Sequence, residues 1–240
     1  LTLCVTGIEV MMISAVMLTG KGNAAVARDA MFAVVMIVLN GMVGVSLLLG
    51  GLRHHEQSYN LAGANAFLAV IVPIAVLGMV LPNFTVSSPG PTLSPLQSGF
   101  FAVMSFGLYG VFLAIQNMRH REYFVAPGSD GSGHVGHAGP LRLHLFLLLL
   151  CLVPLVVLSK QIAVPINHGI AVLHAPQALD GFLVAVLILA PESLAAARAA
   201  LANQLQRAIN VLLGSVLATI SLTIPSVLAR SEEHTSELQS

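Results

Sequence analysis

Apolar runs of about twenty residues recur along this chain, and they restrict it to folds that live in lipid. Seven can be drawn, at 1–18, 31–51, 61–81, 99–118, 141–158, 180–201 and 208–229. Each is close to the roughly 20 residues that a helix needs to cross the hydrocarbon core. In lipid every backbone N–H and C=O must be satisfied within the chain, so the spans are helices unless strands close into a barrel. The alternating pattern of barrel strands is absent. Charged residues make up only 8% of the 240 residues, where soluble domains carry about 25%. The expected fold class is therefore an all-α polytopic membrane protein, with membrane lipid as its surroundings and no nucleic-acid partner.

The connections give the orientation. Arg53, Arg119, Arg121, Arg142 and Arg207 fall on one side of the spans, and Lys21, Arg28 and Lys160 on the other. The excess of basic residues makes the first side cytoplasmic. Prolines and serines in 83–98 argue against regular structure there. Cys4 and Cys151 lie in apolar runs and read as packing residues, with no disulfide. The loop histidines His54, His55, His134 and His137 read as ordinary loop residues. The tail RSEEHTSELQS, 230–240, follows an apolar helix abruptly and resembles the translation of a sequencing adapter. It is expected to be non-native and carries no functional weight.

Two glutamates interrupt the apolar runs, Glu9 in the first and Glu192 in the sixth. A carboxylate at bilayer depth costs about 2.5 kcal/mol or more even on lenient insertion scales. Chains keep such groups where an ion, a proton or a partner charge uses them. Low dielectric disfavours the charged carboxylate, so a proton and a cation compete for the same oxygens, and that competition couples their movements. Five crossings separate the two segments, so their helices run in opposite directions. Each is followed by a polar connection and a helix rich in small residues, the pattern of inverted-topology repeats.

Calcium takes about 6–8 oxygens, more than two carboxylates supply. Pro191 inside the sixth segment removes a backbone donor beside Glu192, and Gly7 is expected to loosen the first through its backbone freedom. Thr6, Ser215 and Thr219 are secondary ligand candidates, with interhelical packing the simpler reading. Asn40 and Asn210 read as helix glue, and Asp180 as an N-cap. No Walker-type phosphate loop or HExxH spacing is present, and no resident cofactor is expected. The reading is a transporter and not an enzyme, with a cation channel that uses the glutamates as selectivity groups as the alternative. Ion choice, stoichiometry and oligomeric state are not written in the residues.

The strings TGIEVMMISAVMLTG, RDAMFAVVMIVLNGMVGVSLLLGG and LAPESLAAARAALANQLQRAINVLLGSVLATISLTIP resemble the two repeats of ChaA-type bacterial calcium/proton antiporters. These belong to the cation/calcium exchanger superfamily and are related to the CAX exchangers. The resemblance implies two inverted five-helix repeats, incomplete at both ends in this chain. The first repeat would occupy 1–118, a cytoplasmic linker 119–140, and the second repeat 141–229. It also implies a multi-pass protein of the bacterial inner membrane that exports calcium, or sodium or potassium, against protons. The paired essential glutamates of the family fall on Glu9 and Glu192. Thr6 and Leu189 stand where CAX relatives carry asparagine, and Ser193 where they often have histidine.

Overall fold

The computed structural model describes residues 24–86, 93–125 and 178–237, and between them the single positions 143, 146, 147, 150, 161 and 172. Glu9, Thr6, both cysteines, most of the fifth apolar segment and most of the 119–140 linker lie outside the described residues.

Every regular element among the described residues is helical. Helix α1 (Ala24–Met36) continues through a π-helical turn (Ile37–Met42) into α2 (Val43–His54). Helix α3 (Leu61–Ala75) ends in a second π-helical turn (Val76–Val80) and a 3-10 turn (Leu81–Phe84). Helix α4 (Pro95–Ala114) ends likewise, in turns at Ile115–Arg119 and Arg121–Phe124. Helices α5 (Ala178–Leu201) and α6 (Leu205–Glu237) form an antiparallel hairpin. Four of these stretches are long and apolar enough to cross a membrane: Asp29–His54, Leu61–Phe84, Pro95–Arg119 and Leu205–Pro225. They correspond to the second, third, fourth and seventh expected segments.

Three boundaries differ from the sequence expectation. Helix α4 begins at Pro95, inside the stretch expected to be irregular. Proline is favoured at the first helical position, where its missing N–H is not needed. Ser94 and Gln97 add a capping box, with the Ser94 N–H donating to Gln97 Oε1 over 3.0 Å. Helix α5 already includes Ala178, so Asp180 lies within the helix and is not its N-cap. Helix α6 continues through 230–237, and Pro225 is accommodated inside it.

Helix α6 is the hub. Its span is 78% buried, against 17–33% for the other three. It packs against α5, α4, α3, α1 and α2. Its small and hydroxyl residues, among them Gly214, Ala218, Ser221 and Thr223, let neighbouring backbones come close. On one side Phe67 (α3), Phe112 (α4) and Phe124 form an aromatic cluster, with ring centroids 4.7, 5.4 and 5.7 Å apart. Two glycines allow tight crossings. A Cβ on Gly63 would stand 2.3 Å from the Tyr123 carbonyl oxygen, and one on Gly78 would stand 2.7 Å from the Phe101 ring.

Candidate functional site

Helix α5 carries Glu192 into the interior. Its neighbours above all are α1 and α6, then α2. Apolar residues at Ala185, Leu189, Ala196, Ala199 and Ala200 bury one face, a 3.6-residue stripe. Glu192 falls on that buried face and is only 8% exposed. Pro191, one residue before it, is exposed and has no N–H to offer the carbonyl one turn back. Ser193 Oγ donates to the Leu189 carbonyl over 2.6 Å, a local bond that competes with the helical ladder at the same place.

Helix α6 presents hydroxyls at matching depth. Glu192 lies nine residues before the end of α5, which is about 14 Å along the axis. Ser215 lies ten residues after the start of α6, about 15 Å along an antiparallel neighbour. Thr219 is one turn deeper. Ser215 and Thr219 are both buried, and their spacing of four puts them on one face. The structure thus gathers Glu192, Ser215 and Thr219 onto two packed helices. Glu9 and Thr6 lie outside the described residues, so the meeting of the two glutamates is not seen. Among the described residues no three histidine, cysteine or acidic side chains come together.

The two asparagines part company. Asn210 bridges helices: its Nδ2 donates to the Phe124 carbonyl, and its Oδ1 accepts from Gln206 Nε2 at 2.9 Å. Asn40 is exposed, and among the described residues its Nδ2 reaches only Met36 of its own helix, the carbonyl at 3.3 Å and the sulfur at 3.7 Å. It is not interhelical glue among the described residues. Both stand four residues before a glycine, Asn40 before Gly44 and Asn210 before Gly214.

A polar clamp, missed from the sequence, fixes the end of the Glu192 helix. Helix α5 closes with a Schellman motif: Gln204 N–H donates to the Ala199 carbonyl (2.8 Å) and Asn203 N–H to the Ala200 carbonyl (3.1 Å). Asn203 takes the left-handed conformation this requires, at φ 58°. The segment after α2 completes the cap. His54 Nε2 lies 2.8 Å from the Leu201 carbonyl, and Gln57 Nε2 donates to the Ala200 carbonyl at 2.8 Å and to Asn203 Oδ1 at 3.0 Å. The Asn60 N–H donates to Gln206 Oε1. The stretch LRHHEQSYN reads as a solvated loop because polarity alone does not say what it caps. Its run of amide and imidazole groups between two spans was the available signal.

The connection after α2 also holds strain. His55 has φ 61° and ψ −53°, and the Glu56 N–H donates to the His54 carbonyl at 2.7 Å. This is a γ-turn with positive φ at its centre, a rare and strained form. It reverses the chain so that His54 and Gln57 both reach α5.

The chain resembles known proteins over nearly all its length. Residues 1–118 and 144–239 match the sodium/calcium exchanger protein family. The chain is 43% identical over 234 residues to y4hA of Sinorhizobium fredii, an ionic transporter by name, covering 96% of this chain and 64% of that protein. It is 40% identical over 233 residues to the sodium-potassium/proton antiporter ChaA of Escherichia coli, covering 95% of this chain and 63% of that one. The chain therefore spans a little under two thirds of the length of these curated relatives. The chain belongs to the sodium/calcium exchanger protein family.

Proposed function

We propose that the complete gene product is a secondary antiporter that moves a cation, calcium or sodium or potassium, across a bacterial cytoplasmic membrane against protons. Glu192 and Glu9 are the groups that bind cation and proton in turn. Ser215 and Thr219 pack against this site and lend oxygens at its edge.

The observation that carries the reading is the burial of Glu192 near the middle of a membrane hairpin, beside a proline and level with Ser215. A buried carboxylate is retained where its charge is used. A helix interrupted by proline supplies carbonyl oxygen at the same depth. Family membership points the same way, as does the similarity to a protein named a sodium-potassium/proton antiporter. The Asn-x-x-x-Gly pair in α1–α2 and in α6 fits two repeats of opposite topology, each of five helices in the whole protein.

The test uses the complete gene product in everted membrane vesicles carrying a preset pH gradient. Addition of calcium, sodium or potassium in separate trials should dissipate the gradient for at least one ion. A fixed ion-to-proton ratio marks exchange. Cation flux that proceeds with no proton movement in return would replace the antiporter by a channel.

A further inference from the structure

We propose that the cavity between α3, α4 and α6 binds the headgroup region of one anionic phospholipid. The cavity has a volume of about 440 Å³, within the range of ligand sites. It opens at the end of the bundle where α4 finishes, close to the α5–α6 turn. Its lining is divided. Phe67, Phe112 and Leu217 form an apolar wall. Tyr109, Gln116, Asn117, Arg121 and Asn210 form a polar one.

The polar wall is suited to an anion. It holds hydrogen-bond donors and a guanidinium, and among the described residues no carboxylate lines it. Arg121 is exposed and makes no ion pair among the described residues, so its charge is available at the mouth. Tyr109 is only 6% exposed, and its hydroxyl is sealed from solvent with no hydrogen-bond partner among the described residues. Tyr109 lies ten residues inward from Arg119, about 15 Å along the helix. The site therefore presents a cation at the membrane surface and apolar surface deeper, where Tyr109 stands. A phospholipid matches that order: phosphate outermost, ester carbonyls next, acyl chains beyond. Basic pockets between membrane helices on the cytoplasmic side hold anionic headgroups for the same reason. Gly214 lines the cavity, and a Cβ there would meet nothing closer than the Phe67 ring at 3.8 Å, so a long side chain at this position has room to extend into the space.

The experiment takes the complete gene product in a neutral detergent and measures lipid retained by native mass spectrometry. Dioleoyl-phosphatidylglycerol and dioleoyl-phosphatidylcholine compete at equal concentration. The wild type should retain phosphatidylglycerol about tenfold more, the worth of one charge-assisted contact. Arg121→Gln, on the exposed rim where folding is not at risk, should remove most of that preference. Gly214→Leu should fill the cavity and lower retention of both lipids. Equal retention of the two lipids by the wild type, or an unchanged preference in Arg121→Gln, would overturn the proposal. So would displacement of the lipid by inorganic phosphate at equal concentration, which would make this a site for a soluble anion.

Discussion

His54 reaches across the bundle to the carbonyl of Leu201, 2.8 Å away, and so joins the end of α2 to the end of the helix that carries Glu192. The last carbonyls of a helix have no partners of their own, and here a distant segment supplies them. The helix that holds Glu192 is thus tied at this end as well as packed along its length against α1 and α6.

Removing the clamp should loosen α5 without touching its core. His54→Ala and Gln57→Ala should each lower stability by about 1 kcal/mol, the usual worth of such a bond. For a chain of this size that is a fall in melting temperature of about 2–4 °C. Thermal unfolding in detergent measures it. Because both side chains bond the same helix end, the double variant should deviate from the sum of the singles. Strictly additive effects would mean that the two bonds act independently.

The γ-turn at His55 makes the opposite prediction. Glycine occupies positive φ at no steric cost, so His55→Gly should raise stability by about 1 kcal/mol. His55→Val should lower it, since a β-branched residue is strained there. The melting temperatures of the two variants should lie on either side of wild type. A lower value for His55→Gly would show that the backbone there is not under strain.

The tight crossing of α3 with the 121–124 turn is a packing test. Gly63→Ala would place a Cβ 2.3 Å from the Tyr123 carbonyl oxygen. That backbone is held by Phe124 in the aromatic cluster and by Asn210, so it yields poorly. A loss of about 2 kcal/mol is expected, in the range of overpacked cores. Gly110→Ala in α4 is the control, because nothing lies within 4 Å of its Cβ position. Chemical denaturation of both variants measures the difference, and equal stabilities would contradict the packing described here.

Much of this architecture was legible in the residues, for a physical reason. Lipid forces backbone groups to pair locally, so the runs at 31–51, 61–81, 99–118 and 208–229 announce their helices through hydropathy alone. Glu192 was legible because a carboxylate stands out against Leu, Val and Ala. The start of α4 was not, because Pro95 reads as a breaker until the Ser94–Gln97 capping box is seen. The clamp of His54, Gln57, Asn60 and Gln206 was also hidden. Its partners stand more than 140 positions apart, and no local pattern encodes pairing over such a distance. Asn40 and Asn210 look alike in sequence, yet among the described residues only Asn210 bonds another element, since Phe124 is presented to it by the turn after α4.

The most direct measurement is cation-driven proton movement by the complete gene product in proteoliposomes, for wild type, Glu192→Gln and Ser215→Ala. Glutamine keeps the shape of glutamate and removes its charge. Glu192→Gln should abolish exchange for every cation the wild type accepts, with folding intact by elution volume and melting temperature. Ser215→Ala should keep exchange within about fivefold of wild type, as expected for a neutral hydroxyl whose net contribution is about 1 kcal/mol. Exchange by Glu192→Gln at the wild-type rate would contradict the assignment of this carboxylate as the group that trades cation for proton.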